Sequence, residues 1–218
     1  MNNIPIRHPT WHSERIASNN TMGHDSESTL HTLPEEEVIA RALQGELDAV
    51  GELVRRYQNA VFNLCYRMLG DYHEAENAAQ EVFIRMYRRL HTYKPAYRFS
   101  TWVLSIASHY CVDQLRKRRI THVSLDTPEM HRYAHIRTVD PETQALLQED
   151  AETLQRYLNM LPEDQRLILV LHYWYDFSYR EIAHILHTTE GAVKTKAHRA
   201  RRRLGEILKR KGWQGERP

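Results

Sequence analysis

Between residues 50 and 68 apolar side chains recur every three or four positions: Val50, Leu53, Val54, Tyr57, Val61, Leu64, Cys65 and Met68. That spacing lines one face of a helix and predicts a buried stripe. Gly70-Asp71 interrupts it, and a second stripe follows through Ala75, Ala78, Ala79, Val82, Phe83, Met86 and Leu90. A third runs Trp102, Ile106 and Tyr110, with Leu115 beyond. Together they predict a compact helical domain over residues 34–119. Residues 1–33, rich in Asn, His, Ser and Thr without a sustained period, predict a flexible extension.

From 120 to 150 the period is lost among acidic residues, Pro128 and Pro141, which predicts a flexible linker. A second domain is expected over 151–212, with a short tail at 213–218. Its first helix is expected around Asp150 to Met160. Leu161-Pro162-Glu163-Asp164 opens the next, because Pro suits a first helical turn and acids there favour the positive end of the helix dipole. Ser178-Tyr179-Arg180-Glu181 then has the form of a capping box, predicting a short helix over 179–186 with Ile182, Ala183 and Leu186 on one face. His187-Thr188 forms a turn, and Thr189 caps a last helix whose stripe is Val193, Ala197, Ala200, Leu204, Ile207 and Leu208. The fold class is all-α: two small helical domains, the second a helix-turn-helix, joined by a flexible linker.

Charge sharpens this picture through its placement. Thirty Lys/Arg against 28 Asp/Glu in 218 residues leave a formal net charge of only +2. Yet from Thr188 to Gly212 nine Lys/Arg face only Glu190 and Glu206, and Arg116-Lys117-Arg118-Arg119 forms a second basic cluster. From Thr121 to Glu163, eight acids face three arginines. A helix-turn-helix places the N-terminal turns of its second helix in the DNA major groove. Glu190, Gly191, Lys194, Thr195 and His198 are therefore candidates for base contacts. Arg180, Lys196, Arg199, Arg201, Arg202 and Arg203 are candidates for phosphates.

Cys65 and Cys111 stand far apart without a C-x-x-C, and the start of the chain has no secretory pattern, so the expectation is a cytoplasmic protein with free thiols and no membrane insertion. Despite 14 His, the chain contains no H-E-x-x-H, no G-x-S-x-G and no Gly-rich phosphate loop. No catalytic residues, cofactor or metal site are expected.

The segment LPEDQRLILVLHYWYDFSYREIAHILHTTEGAVKTKAHRARRRL resembles the promoter −35 reading region of bacterial sigma factors of the extracytoplasmic-function (ECF) group, within the sigma-70 family. Response-regulator output domains are similar over the same stretch, so the N-terminal half is needed to discriminate. There GDYHEAENAAQEVFIRMYRRL resembles the sigma segment that grips the clamp helices of RNA polymerase, and YRFSTWVLSIASHYCVDQLRKRR resembles the segment that melts and reads the −10 element. The resemblance implies a promoter-specificity subunit without chemistry of its own, with core RNA polymerase, promoter DNA and an anti-sigma factor as partners. It implies a polymerase contact at or near Asp71, Glu74, Glu76, Gln80, Glu81 and Phe83. It also implies a −10 contact involving Tyr97, Arg98 and Phe99 as walls of a flipped-base pocket, with His109, Gln114, Arg116, Lys117, Arg118 and Arg119 towards the surrounding strand. Trp102 ranks below these because it sits on the apolar stripe.

Three positions depart from the family pattern: Asn77 replaces a frequent Asp, His187 a frequent Gly and His109 a frequent Asn. The acidic linker is expected to thread towards the catalytic cleft of the polymerase or to act as a plain tether. The alternative to a sigma factor is a helix-turn-helix regulator with a helical sensor domain.

Overall fold

The computed structural model describes residues 30–122 and 152–210. In chain order the helices are α1 (Glu35–Leu43), α2 (Leu47–Leu69), α3 (Tyr72–Arg89), α4 (Phe99–His122), α5 (152–159), α6 (Glu163–Trp174), α7 (Tyr179–Ile185) and α8 (Glu190–Arg210). A 3₁₀ turn, Leu90–Thr92, follows α3. Among the described residues there is no strand. Linker acids Asp126, Glu129, Asp140 and Glu142 and the tail lie outside the described residues.

Helices α1 to α4 form the N-terminal unit around α2. Its predicted stripe is buried through Val50, Leu53, Tyr57, Val61, Leu64, Cys65 and Met68. On α3 the buried positions are Ala75, Ala78, Ala79, Val82 and Met86, whereas Phe83 lies half out of the core. The α4 stripe differs from the expected one. Phe99, Val103, Ala107 and Cys111 are fully buried, while Trp102 and Tyr110 lie at the edge. Leu104 and the expected Ile106 are buried on the same helix. Cys65 and Cys111 meet inside this core as free thiols; their mutual hydrogen bond and burial push the Cys111 thiol well up, which makes it a poor nucleophile.

The folded part begins before the expected boundary at residue 33, since Leu30 is 3% exposed and belongs to the core. Arg56 holds it there, donating from Nη2 to the carbonyls of Leu30 (3.0 Å) and Leu33 (2.8 Å). Glu52 in turn holds Arg56 and accepts two hydrogen bonds of 2.7 Å from Arg55. Burial pushes the Glu52 carboxyl up, but the hydrogen bonds and charges of Arg55 and Arg56 outweigh it and leave the group below its ordinary value.

Helices α5 to α8 form the C-terminal unit. The capping box is present: Ser178 Oγ accepts from Glu181 N at 3.2 Å, and Glu181 Oε2 accepts from Ser178 N at 2.8 Å. Thr189 Oγ1 accepts from Ala192 N at 3.2 Å, capping α8. His187, in the turn between the two helices, takes the left-handed conformation at φ 49°, which His adopts more readily than most residues.

The two units do not stand apart. Leu167, Ile168, Leu171, Phe177 and Ile182 join the apolar cluster of the N-terminal unit. The polar part of the seam sits on the C-terminal end of α2, where the last four carbonyls lack partners within the helix. Gly70 N donates to Tyr66 O at 2.8 Å, Gln155 Nε2 to Arg67 O at 3.0 Å, Arg166 Nη1 to Met68 O, and Arg118 Nη1 to Leu69 O at a long 3.5 Å. Two of the four donors thus come from the C-terminal unit. Arg166 also donates to the Asn159 side chain (3.1 Å) and main chain (2.8 Å), and burial lowers its pKa to about 10, leaving it charged at neutral pH. Gly70 supplies the left-handed residue ending α2, at φ 79°, and a Cβ there would lie 2.5 Å from Asn159 Nδ2.

Glu52→Gln is expected to lower the unfolding free energy by about 2 kcal/mol in a urea titration, because two arginines lose a charged acceptor. The Glu52 carboxyl is depressed in the folded state, so its contribution is complete above its ordinary value of 4.5 and is lost as pH falls through the depressed value. The deficit of E52Q should therefore shrink in acid. Gly70→Ala is expected to cost about 1–3 kcal/mol in the same titration, from left-handed backbone and contact with Asn159.

Candidate functional site

The exposed side of α8 follows from its buried one. Val193, Ala197 and Ala200 face the core, so helical spacing places Glu190, Gly191, Lys194, Thr195 and His198 together on the outer side of the first turns, all exposed. Glu190 and Lys194 pair at 2.6 Å; the hydrogen bond and charge of Lys194 hold the Glu190 carboxyl down. Thr195 Oγ1 donates to Gly191 O at 3.0 Å. These contacts lie within one helix at the surface, so the side chains are free to exchange partners at little cost.

The basic residues of this unit divide. Arg180 is exposed on α7. Lys196 turns back to Asp164 at 2.8 Å, and Arg201 donates to the Tyr179 hydroxyl at 2.7 Å, raising the Arg201 pKa. Arg199, Arg202 and Arg203 border a 540 Å³ groove with Met160, Gln165 and Ile207. The phosphate candidates therefore surround α8 on several sides, and only part of the set flanks the outer face of its first turns.

In the N-terminal unit, Tyr97 sits just before α4 and is 46% exposed, and Arg98 beside it is exposed. Tyr93 donates its hydroxyl to Tyr97 O at 2.8 Å, holding the loop. Phe99 does not wall a pocket. It is fully buried, packed among the rings of Tyr57 (5.3 Å), Tyr93 (5.2 Å) and Trp102 (5.4 Å). Trp102 lines a 530 Å³ cavity together with Tyr97, His109, Arg85, Arg89 and Lys94, bordered also by His184, Ile185 and His187 of the C-terminal unit. The sequence carried a signal for these residues in the cations flanking Tyr93, but Trp102 was hidden by its place on an apolar stripe.

His109 is exposed, its Nδ1 2.8 Å from Ser105 O. Gln114 is half-buried; Arg116, Lys117 and Arg119 are exposed, with Asp113 3.9 Å from Arg116. Arg118 leaves this group. It is half-buried, ion-paired with Glu74 and directed to Leu69 O, so it belongs to the end of α2 and not to a strand-facing surface.

The candidates on α3 separate in the same way. Glu76, Gln80 and Phe83 follow one another along one helix face and line a 630 Å³ groove with Phe62 and Tyr72, which the sequence reading missed. Asp71 caps α3, accepting from Glu74 N at 2.9 Å. Glu74 pairs with Arg118, and Glu81 pairs with Arg85 at 2.8 Å. Those three acids have local structural partners, and the groove contains the others.

Among the described residues, His, Cys, Asp and Glu nowhere gather in threes able to hold a metal ion, and no helix is long and apolar enough to cross a membrane. Phe99→Ala is expected to cost about 3–5 kcal/mol in urea, as for a large core deletion. Tyr97→Ala should cost about 1 kcal/mol or less, which separates the buried ring from the exposed one.

Comparison with known proteins agrees in both halves. Residues 53–120 match the model for sigma-70 region 2, and residues 151–204 that for sigma-70 region 4. The chain is 36% identical over 178 residues to the ECF RNA polymerase sigma factor SigW of Bacillus subtilis, covering 78% of this chain and 95% of that protein. It is 30% identical over 177 residues to the ECF RNA polymerase sigma-E factor of Escherichia coli, covering 78% and 91%. Among solved structures, CnrH in complex with the cytosolic domain of CnrY is similar with a TM-score of 0.60 at 23% identity, covering 80% of this chain and 97% of that one. The sigma factor RpoE in complex with the anti-sigma factor NepR, from Bartonella quintana, gives 0.58 at 22% identity, covering 73% and 96%.

Proposed function

The chain belongs to the ECF sigma factors of the sigma-70 family, and on that premise we propose how its surfaces share the work of starting transcription. It is not an enzyme. It binds core RNA polymerase and directs promoter-specific initiation, so the open question is which side chains do each part. The observation that supports the division best is the sorting of α8, whose first turns leave Glu190, Gly191, Lys194, Thr195 and His198 exposed above a fully buried face. These residues read the −35 element in the major groove, with Arg180 and Arg202 beside them for phosphates.

The −10 strand meets Tyr97, Trp102 and His109. An aromatic wall recovers the stacking that an extruded base loses, and Arg85, Arg89 and Lys94 around the same cavity attract its phosphates. Arg98, Arg116, Lys117 and Arg119 extend this basic surface. Core polymerase takes the groove of Glu76, Gln80 and Phe83, where an apolar floor is edged by polar groups able to pair with a helix of the partner. The setting is the cytoplasm, where polymerase and DNA are. An anti-sigma factor, such as the one bound to the Bartonella protein, is a further partner; a pull-down of the native protein that recovered polymerase and nothing else would count against it.

The test is run-off transcription on sheared genomic DNA with sigma-free bacterial core polymerase, with and without the chain, sequencing RNA 5′ ends. New start sites sharing paired upstream elements are expected; an unchanged set of starts overturns the reading. Lys194→Ala should reduce transcripts from the strongest starts about tenfold and relax base preference in the −35 element, in line with roughly 1–3 kcal/mol for a base contact. Gln80→Ala should weaken binding to core about tenfold without changing the starts that remain.

A further inference from the structure

We infer that His109 sets base preference at one position of the −10 element, selecting the bases that carry an exocyclic amine, adenine or cytosine, over the keto bases guanine and thymine. The inference deepens the reading that the −10 strand meets Tyr97, Trp102 and His109, and rests on it. It starts from a hydrogen bond within α4, where His109 Nδ1 lies 2.8 Å from Ser105 O, one turn back. A carbonyl oxygen only accepts, so Nδ1 carries the proton, and Nε2 of the neutral imidazole is left as an acceptor. Since Nδ1–H points at Ser105, Nε2 on the other side of the ring is directed away from it. His109 is exposed, and among the described residues its Nε2 has no hydrogen-bond partner. The His187 ring stacks on it at 5.3 Å and 22°, which covers a face of the ring and leaves its edge open.

The neighbours of His109 on the same helix face agree with it. Ser105 donates its hydroxyl proton to Trp102 O at 2.7 Å, so only its lone pairs remain. Asp113, one turn beyond His109, is an exposed carboxylate at a long 3.9 Å from Arg116. All three line the cavity, and along the face they share α4 presents acceptors. The cationic donors lie on other walls, Arg85 and Arg89 on α3 and Lys94 in the loop that follows, where phosphates can take them. Arg85 is moreover paired with Glu81 at 2.8 Å.

The bases differ in the group that such a wall would meet. On the same edge of the ring, adenine and cytosine offer an amine where guanine and thymine offer a carbonyl oxygen. An amine donates to Nε2, whereas a carbonyl sets lone pair against lone pair and leaves both groups unpaired. The Asn that is frequent at this position has an amide able to turn either its donor or its acceptor outwards. The bond to Ser105 removes that choice from His109.

The test is run-off transcription with the full chain and sigma-free core polymerase, at about pH 8 to keep imidazoles neutral. The template is a promoter found in the genomic assay, with its −10 element randomised. In the parent, one position should favour adenine or cytosine over guanine and thymine by about tenfold. His109→Lys, which has donors only, should reverse the preference at that position, and His109→Asn should abolish it. A second arm leaves the protein unchanged and alters the DNA. Hypoxanthine for adenine, or uracil for cytosine, exchanges the amine for a carbonyl on the same ring and should lower the parent's yield about tenfold. The same exchange should leave the yield of His109→Asn nearly constant.

New starts whose −10 preferences are the same in the parent and both variants overturn the inference and leave the sigma reading standing. So does an equal loss of yield at every base, which would make His109 a contact to the strand backbone. A position that responds to residue 109 but favours guanine or thymine in the parent overturns it as well. A parent that gives no new starts overturns the sigma reading and this inference with it.

Discussion

A helix ends with four carbonyls that no residue within it satisfies, and in this protein the end of α2 is the point on which the two halves meet. Tyr66 O has the amide of Gly70; Leu69 O has Arg118; Arg67 O and Met68 O have side chains that arrive from some ninety residues further along. The negative end of the helix dipole favours cations there, and Arg166 and Arg118 are both directed to it. Because Arg166 also ties together Asn159 and Leu161, the connection between α5 and α6 and the docking of the two units depend on one guanidinium.

The same economy of partners explains which charged residues are available to other molecules. Asp71 is occupied by an α3 amide and Glu74 by Arg118, whereas Glu81–Arg85 and Lys196–Asp164 are surface pairs like Glu190–Lys194 and exchange partners at little cost. What is left exposed is organised by helix periodicity: Glu76 and Gln80 one turn apart on α3, Glu190, Lys194 and His198 one turn apart on α8. A charge run in a sequence is thus a mixture, and the folded partners separate the structural members from the rest.

Local signals were the most legible in the sequence. The Ser178–Glu181 capping box and the Thr189 cap depend on residues three apart and appear as expected. The stripes of α2, α3 and α8 were also readable, since apolar residues, alanines among them, recur at helical spacing in each. On α4 Ile106 is buried as expected, but Trp102 and Tyr110 lie at the edge, while the buried Phe99, Val103, Leu104, Ala107 and Cys111 were passed over. The seam was not legible at all. Arg166, Gln155 and Arg118 have the composition of a solvated surface, and only the distant carbonyls they cap give them another role.

The separation of faces on α8 has a consequence for how such a protein diversifies. Val193, Ala197 and Ala200 carry the packing, and none of them belongs to the exposed group at Glu190, Gly191, Lys194, Thr195 and His198. Substitutions among exposed helix positions usually alter stability by about half a kcal/mol or less. Descendants of a duplicated copy could therefore change all but the helix-breaking choices on the outer face while inheriting the inner one intact. If that face reads DNA as proposed, new preferences would be reached through a nearly neutral landscape, with no need to rebuild the fold that presents it.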